Sequence, residues 1–423
     1  MEQSILGLVL ILLLSGTAKA EPSCEDLIAG SENITFNLKQ SLAVTLACSP
    51  SAKSKLAEGE ISLAQMQQLG LIESPQVGFG IIFPVSASAT NTAYEVRMTL
   101  NLMDLIQLPA RKKLGQAEYE RKKLEIAAEI LQILTNTKTS YYQYQALLQL
   151  KSFWKSNLDA VQSMGDLSRA QRKAGNISAL DEAQRLAFLK MAQLELMKVE
   201  NQIKQARLEF ILQIGLAGHD FRQEIGDKLP KLPEQLPNLQ ALIELAKIQR
   251  PQLLERKQKL QVGQRNIDLA KRNFFPRLNL GIVGEWDFAG ATGVGPALQV
   301  GLPFLGHQSV ALRKARAELK VSQLEFSTLE QNTPNDLEQV YQRLVLANQM
   351  VRFYRNDVLP LQERVLKESI KHYNYMLLGN YQLLLNKQNQ IHVQKGSIEA
   401  LRDYWIAYVE LENLVGGSLG ETL

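Results

Sequence analysis

Residues 76–85 read QVGFGIIFPV and residues 94–103 read YEVRMTLNLM, and in both stretches apolar side chains alternate with small or polar ones. This period of two is the pattern of a β-strand with one apolar face. About ten residues is also the length of a tilted strand that crosses a membrane, ~9–11. The small and polar residues 86–93 are typical of a solvated turn. The sequence therefore predicts an amphipathic β-hairpin over 76–103.

The chain carries this hairpin twice, because the sequence matches itself at an interval of about 200 residues. The repeated residues include Pro75 and Pro276, Gly80 and Gly281, and Gly215 and Gly416. The second hairpin is predicted at 277–305. The predicted organisation is a signal peptide at 1–20, a first structural repeat at 21–215, a linker at 216–237, a second structural repeat at 238–417 and a C-terminal tail at 418–423.

Helical segments are predicted for most of the remaining chain. A segment of about 35 residues precedes each hairpin, over 36–72 and 239–275, and ends before a proline, which cannot donate into the helix ladder. Residues 114–174 then carry two apolar stripes, which predicts a long helix that packs against neighbours on two sides. The matching segment of the second copy, 308–377, contains Pro334 and Pro360, where we expect kinks.

Each long helix is expected to turn back at a Gly-Asn pair. These pairs are Gly175-Asn176 in the first copy and Gly379-Asn380 in the second, and we match them with each other. Glycine and asparagine adopt positive φ with little strain, as the end of a helix often requires. Return helices then follow over 178–214 and up to Val415.

The N-terminus has the features of a secretory signal peptide. Residues 5–14 form an apolar run too short to cross ~30 Å of hydrocarbon as a helix, and Ala18-Lys19-Ala20 is a small-x-small cleavage site. Cys24 and Cys48 follow it, in an oxidising compartment. Two interpretations stay open for them, a Cys24–Cys48 disulfide and two free thiols, because sequence does not supply the geometry of the bond.

Composition and motifs exclude several classes of protein. With 423 residues, 45% of them apolar, and a formal net charge of +4, the chain is neither disordered nor equipped with a basic face for nucleic acid. The histidines lack metal-ligand spacing, and no phosphate-binding loop or nucleophile elbow is found. We therefore predict no enzyme activity, no catalytic residue, no metal and no cofactor. The basic cluster 111–113 follows a strand, which favours contact with anionic lipid over a merely solvated helix face.

Five stretches carry a resemblance to a known family: Arg250-Pro251-Gln252-Leu253, residues 273–280 (NFFPRLNL), Gly301-Leu302-Pro303-Phe304, residues 315–318 (ARAE) and residues 399–405 (EALRDYW). In this order, and with the duplication, the chain resembles the TolC family of outer-membrane efflux channels. The last stretch is similar to family members associated with heavy-metal resistance.

The resemblance implies a mostly α fold with a small β part, built from a duplicated unit of helix, β-hairpin and long helix pair. It implies a homotrimer whose helices form a tunnel and whose strands form one shared twelve-stranded barrel in outer-membrane lipid. The protein would lie in the outer membrane of a Gram-negative cell, with a large periplasmic portion. It would be the channel of a tripartite efflux system and passively conduct small molecules or metal ions.

Partners and a gate also follow from the resemblance. Family members dock at their helical tips, here the two Gly-Asn turns, onto a periplasmic adaptor that serves an inner-membrane pump. Just beyond each turn, the family often places carboxylates that narrow the closed mouth. Asp181 fits that position in the first copy, whereas Leu385 takes it in the second, with Asn386 and Gln388 nearby. An aperture at Leu385 would seal by dewetting.

A second hypothesis is a soluble periplasmic coiled-coil scaffold or adaptor protein, with the hairpins at its end and outside the membrane. The duplicated strands favour the channel instead. Four strands cannot close a barrel by themselves, but several chains that contribute four strands each can. The two hypotheses differ in where the apolar faces of the hairpins lie.

Overall fold

A computed structural model describes Cys24 and residues 36–83, 92–218, 224–272, 277–289, 291–301 and 307–419. The predicted signal peptide, most of the predicted turn 86–93, residues 302–305 of the second hairpin and most of the predicted tail lie outside the described residues.

The described chain is mostly helical, with a small β part, as predicted. The first half contains α1 (Leu38–Cys48), α2 (Pro50–Leu69), β1 (Gln76–Ile82), β2 (Ala93–Asn101), α3 (Leu102–Lys173) and α4 (Ala179–Gln213). The second half contains α5 (Leu239–Gln249), α6 (Pro251–Arg272), β3 (Arg277–Trp286), β4 (Thr292–Gly301), α7 (His307–Phe353), a π-helical turn (Tyr354–Val358), α8 (Leu359–Asn374) and α9 (Asn380–Val415).

The segments predicted over 36–72 and 239–275 are largely helical where the structure describes them, but each is broken into two helices. The breaks fall at Ser49 and Arg250, which precede Pro50 and Pro251. Proline disfavours the α conformation of the residue before it. The ψ angles of Ser49 and Arg250 are accordingly 122° and 112°, outside the helical region.

The first long helix starts earlier than the sequence predicted. α3 begins at Leu102 and runs through Pro109, so the last two residues of the predicted hairpin are helical. Asn101 Oδ1 accepts a hydrogen bond from the Met103 N–H at 3.0 Å, which satisfies one of the donors left free at a helix start.

The prolines of the second copy act differently from each other. Pro334 lies inside α7 and does not end it. Pro360 is the second residue of α8, which directly follows a π-helical turn, and the Leu359 N–H donates to the Tyr354 carbonyl. In this segment, the backbone hydrogen bonds change from the α-helical to the π-helical pattern in the turn just before α8.

The four strands form one antiparallel sheet in the order β1-β2-β3-β4. The central pair, β2 with β3, joins the two hairpins, and Tyr94 lies opposite Trp286 in it. The hairpins, predicted from separate stretches of sequence, thus share a continuous hydrogen-bonded ladder.

Contacts divide the chain into two units. The helical unit comprises the described parts of residues 1–55, 128–250 and 332–423, and the sheet unit comprises those of 56–127 and 251–331. Each unit contains segments from both predicted repeats. The division into repeats at 21–215 and 238–417 therefore stays a prediction about the sequence.

Three apolar clusters are found among the described residues of the helical unit. The first includes the buried side chains of Phe210 and Ile214, the second includes Leu337 and Tyr404, and the third includes Leu189. The predicted linker 216–237 packs into this unit, since its Ile225 and Leu229 belong to the first cluster.

Two joints, one in each half of the chain, bring a helix break against the end of a return helix. In the first joint (Cys48, Ser49, Gly215), Gly215 has φ +81°, and a Cβ added to it would lie 2.3 Å from Ser49 Cα. In the second joint (Gln249, Arg250, Gly416), Gly416 has φ +99°, and an added Cβ would lie 2.7 Å from the Gln249 carbonyl oxygen. Both the positive φ and the close approach require glycine.

Different side chains fasten the two joints. At the first joint, Cys48 forms a disulfide with Cys24, with a Cα–Cα distance of 5.3 Å. At the second joint, the buried Arg250 donates to Thr333 Oγ1 at 2.9 Å and lies 3.7 Å from Asp336 Oδ2. Burial lowers the pKa of Arg250, against the influence of Asp336.

Candidate functional site: the sheet faces and the helical tips

One face of the sheet is almost entirely apolar. Residues directly opposite each other in antiparallel strands project to the same side, and so do residues two apart along a strand. The register places the following apolar residues on one side: Val77, Phe79, Ile81, Tyr94, Val96, Met98, Leu100, Leu278, Leu280, Ile282, Trp286, Val294, Pro296, Leu298 and Val300. We call this side the apolar face. Phe79 is 78% exposed and Val294 81%, far more than a water-facing sheet normally shows over a contiguous patch.

The opposite side, the polar face, is rich in glycine and in polar side chains. It includes Gly78, Gly80, Glu95, Arg97, Thr99, Asn279, Gly281, Glu285, Gly293, Gly295 and Gln299. Arg97 forms an ion pair with Glu95 along β2. At Gly281 an added Cβ would lie 2.3 Å from the Met98 carbonyl oxygen, so the backbones approach closely there. This contrast between faces is that of strands with lipid on one side and water on the other.

The sheet is open at both edges. Among the described residues, β1 pairs only with β2 and β4 only with β3. Each edge therefore presents a row of backbone N–H and C=O groups without a partner in this sheet.

The first tip, residues 174–178, connects α3 to α4 in a turn that ends a helix with a left-handed residue. Gly175 has φ +76°, and the Asn176 N–H donates to the Gln171 carbonyl at 2.9 Å. Ser178 then caps α4, accepting from the Asp181 N–H at 3.0 Å. The sequence prediction of a turn at Gly175-Asn176 agrees with this geometry.

The second tip, residues 375–379, has the same backbone design at a different place from the one predicted. Met376 is the left-handed residue, with φ 60°, and the Leu377 N–H donates to the His372 carbonyl at 2.8 Å. Gly379 is extended and serves as the N-cap of α9, which starts at Asn380. The match of Gly175-Asn176 with Gly379-Asn380 is therefore wrong. Met376 takes the place of Gly175, and the interval that relates Gly215 to Gly416 holds here too.

This register also changes the predicted counterpart of Asp181. Asp181 is the third residue of α4 after its cap, and Gln382 is the third residue of α9. Leu385 lies one turn further along α9, so its equivalence with Asp181 is a consequence of the wrong match.

The predicted aperture residues have the following surroundings. Hydrogen bonds from Ser178 and then Asn380 hold the pKa of Asp181 below its usual value. Leu385 and Asn386 are half-buried, and Asn386 Nδ2 donates to Ser369 Oγ at 2.7 Å. Gln388 is exposed. Of these residues, only Asp181 reaches the other helix pair directly, through Asn380 Nδ2 at 3.5 Å.

A buried arginine just above the tips was missed by the sequence analysis. Arg185 on α4 is 2% exposed. Its guanidinium donates to side-chain oxygens on α3, α8 and α9: Ser168 at 3.2 Å, Gln171 at 2.9 Å, Tyr373 at 2.9 Å, and Asn380. We call these five residues the Arg185 cluster. It ties the α3–α4 pair to the α8–α9 pair, because a buried guanidinium is costly unless its donors are paired. An arginine in a helical pattern gives no sign of burial, so sequence alone had no signal for it.

The two tips differ in their surfaces. The second tip exposes apolar side chains, of which Met376 is 94% exposed, and Tyr375, Leu377 and the nearby Tyr381 are also exposed. The first tip presents Gly175 and Asn176 at the positions that match Met376 and Leu377, and its one comparable exposed apolar residue among those described is Leu180, which matches Tyr381. Exposed apolar groups concentrated at one loop indicate a contact surface.

In the described part of the chain, no group of three or more His, Cys, Asp or Glu side chains is placed to hold a metal ion. None of the helices in this part is both long and apolar enough to cross a bilayer.

The fold and the site together define a class of protein, a membrane channel subunit that joins long helices to a sheet with one apolar and one polar face. A membrane protein from Pseudomonas aeruginosa has this fold, with a TM-score of 0.77 at 18% identity over 90% of each chain. VceC, an outer membrane protein from Vibrio cholerae, gives a TM-score of 0.72 at 15% identity, over 90% of this chain and 96% of that one. The open state of the MtrE outer membrane channel from Neisseria gonorrhoeae gives 0.72 at 16% identity, over 91% and 90%. Comparison with curated proteins finds no match.

The family profile described as outer membrane efflux protein matches residues 58–216 and 242–417, most of the chain. The chain belongs to this family, and the predicted resemblance to TolC-type channels is confirmed. Its role is that of an outer-membrane efflux channel, and its location is the outer membrane, with a large periplasmic part. The hypothesis of a periplasmic scaffold or adaptor is set aside, and the family is one of channels rather than enzymes.

Proposed function

We propose that three copies of the chain pool their sheets into one closed twelve-stranded barrel, and that their helices continue it as a periplasmic tunnel. The observation that supports this most is an apolar face on a sheet with two open edges. Lipid offers no hydrogen bonds, so an edge in the membrane must pair with another strand. The β1 edge of one copy and the β4 edge of the next supply that pairing, and the polar face then lines the pore.

Two arginine substitutions in neighbouring rows of the sheet test this arrangement. Phe79→Arg puts a charge on the apolar face, where it costs about 2–4 kcal/mol near the middle of a bilayer. Gly293→Arg puts the same charge on the polar face, where an added Cβ meets nothing within 4 Å. We expect heat-modifiable trimers in outer-membrane fractions of Gly293→Arg and few or none of Phe79→Arg. Equal trimer yields from the two variants would contradict the proposed faces.

We propose that the two tips bind a periplasmic adaptor, which connects the channel to an inner-membrane pump. Family membership supports the kind of partner, and the exposed apolar residues of the second tip support the place. The channel itself conducts passively, and the pump supplies the energy.

We propose that the periplasmic mouth closes near Asp181, which contacts Asn380 of the other helix pair, and that it is held closed by the Arg185 cluster. Arg185 joins the two helix pairs that have to separate for the mouth to widen. Arg185→Ala should therefore raise single-channel conductance in planar bilayers. The matched control is Arg169→Ala, which removes an exposed arginine of α3 whose ion-pair partner among the described residues is Asp166. Leu385→Gln should also raise conductance, and an unchanged value would place the constriction elsewhere.

The transported substrate is proposed only by class, as small molecules or metal ions. Metal export is the narrower hypothesis. Deletion of the gene should then lower tolerance to copper, zinc or cobalt, whereas unchanged tolerance to all three would count against metal export.

A further inference from the structure

We propose that the start of α3 and the connection before β1 form a binding surface for anionic phospholipid of the periplasmic leaflet. The surface consists of Leu71, Ile72, Leu105 and Ile106, followed by Lys112 and Lys113, and we call it the collar surface. The inference rests on the proposed function, because it requires the strands of the sheet unit to lie in the outer membrane.

The apolar part of the collar surface directly continues the sheet. Leu71 and Ile72 come shortly before β1, and Leu105 and Ile106 lie near the start of α3, four and five residues after the end of β2. Leu71 is 65% exposed and Leu105 is 44% exposed, and the other two side chains are similarly open. Large aliphatic side chains in this position favour hydrocarbon over water. The apolar surface thus extends beyond the last strand residues.

The basic part lies on the same side of α3, two turns further from the sheet. Leu105 and Lys112 are seven residues apart, as are Ile106 and Lys113, and this spacing places each pair on one helical face. Seven residues correspond to about 10 Å along a helix. The headgroup region on each side of a bilayer is about 5–7 Å thick. The helix surface changes from apolar to basic side chains over a length similar to the distance from the hydrocarbon core of a bilayer to its phosphate groups.

The two lysines are available for an outside anion. Both are exposed, and neither forms a salt bridge with another described residue. Arg111 beside them is different, since it donates to the Leu71 carbonyl at 3.3 Å and lies 3.8 Å from Asp104. Arg111 therefore holds residues 71–73 against α3, while Lys112 and Lys113 extend outward.

The second copy has a similar but less complete surface. Val310 is exposed near the start of α7, and the exposed basic residues Arg313 and Lys314 follow it, although Lys314 lies 3.7 Å from Glu318. A basic pair thus follows β4 as well as β2, which associates these pairs with the ends of the strands. The phosphate group of an anionic lipid is the ligand that suits these basic residues, because anionic lipid attracts clustered lysine and arginine at the membrane boundary.

Lipid binding by purified trimers tests the proposal. The full-length chain is extracted in a non-ionic detergent, and native mass spectrometry counts bound phosphatidylglycerol and phosphatidylcholine of equal chain length. Wild type should prefer phosphatidylglycerol. Lys112→Gln/Lys113→Gln should lower that affinity by about fivefold for each lysine and leave phosphatidylcholine binding unchanged. The control Lys155→Gln/Lys173→Gln removes two exposed lysines from the same helix far from the sheet, and it should behave as wild type.

Spin labels distinguish lipid from a protein neighbour as the occupant. A label at Leu105→Cys should be accessible to oxygen, which concentrates in lipid, and a label at Gln116→Cys should be accessible to a water-soluble nickel chelate. A Leu105 label that is immobile and shielded from both reagents would mean that protein covers the surface, and would overturn the proposal.

Failure of this inference differs from failure of the proposed function. A chain that forms outer-membrane trimers but shows the same phosphatidylglycerol affinity in wild type and Lys112→Gln/Lys113→Gln overturns the collar surface and leaves the channel intact. A wild-type chain that forms no trimers in the membrane overturns both.

Discussion

The first and second joints reach the same backbone arrangement with different side chains. Both place a left-handed glycine against a helix break that a proline imposes. The first joint is then fastened by the Cys24–Cys48 disulfide and the second by a buried arginine. The comparison teaches that backbone constraints are kept in both copies, because no other residue satisfies them, whereas several side chains can serve as a fastener.

The tips follow the same rule less strictly. Both contain a left-handed residue in the same turn, but it is Gly175 in one and Met376 in the other. An exposed turn tolerates the strain of a non-glycine residue, about 1–2 kcal/mol. A joint cannot tolerate a non-glycine residue, because there the added Cβ would also collide with backbone atoms.

The largest expected effect is that of Gly215→Ala. The added Cβ must displace the backbone of Ser49, so we expect a loss of more than about 4 kcal/mol of unfolding free energy or failure to assemble. Gly416→Ala should follow closely. The control is Gly218→Ala, which has φ +85° but open space around it and should cost only about 1–2 kcal/mol. Thermal unfolding followed by helical circular dichroism measures all three, and equal losses at positions 215 and 218 would remove the argument from close contact.

The next largest losses of stability are expected from removing the disulfide at the first joint and Arg250 at the second. Cys24→Ser/Cys48→Ser opens a bond that closes a sequence separation of 24 residues, for which we expect a loss of about 3 kcal/mol. Arg250→Met removes a hydrogen bond to Thr333 and an ion pair with Asp336 at the second joint, and should cost about 1–3 kcal/mol. Reductant should lower the unfolding temperature of the wild type and of Arg250→Met, but not that of the double serine variant. If reductant also lowered the unfolding temperature of the double serine variant, its effect on the wild type could not be assigned to the disulfide.

A smaller effect, of opposite sign, is expected at the second tip. Met376→Gly relieves the left-handed strain and should stabilise the chain by up to about 1 kcal/mol. The same change removes the most exposed side chain of the proposed adaptor contact, so adaptor affinity should fall. The reverse change, Gly175→Met, should cost stability. Stabilisation without any loss of adaptor binding would exclude Met376 from the contact.

The smallest effect concerns an aromatic side chain of the second copy. Burial, and then the charge of Glu412, raise the pKa of Tyr408 from 10.0 to about 12. The folded state thus favours the neutral phenol, and this contribution to stability is present below pH 10 and lost as the pH rises through about 12. Tyr408→Phe should reduce the alkaline loss of stability and leave the unfolding temperature at pH 7 nearly unchanged. An unaltered alkaline transition would contradict the proposed burial effect.

The features that can be predicted from the sequence are those determined by a single residue type or by the spacing of apolar residues along the chain. Alternation identified both hairpins, and the register placed the residues around Val77 and Phe79 on one face, as expected. The helix breaks at Ser49 and Arg250 are invisible to apolar periodicity, because they follow from the effect of Pro50 and Pro251 on the residue before each proline.

The errors at the tips have a different cause. The recurring Gly-Asn pair was a better local match than the true equivalents, Gly175 and Met376, which share only a backbone conformation. Side-chain identity does not reveal a left-handed methionine. The Arg185 cluster was out of reach for a related reason, since its members come from four helices and only the folded chain brings them together.

The open edges of the sheet have a genetic consequence. Under the proposed arrangement, a chain with a damaged β1 or β4 spoils each complex that it joins. If intact and damaged chains are made in equal amounts, only about one complex in eight is composed entirely of intact chains. Mutations at the edges should therefore be dominant when both alleles are expressed in one cell, whereas alleles that produce no chain should be recessive.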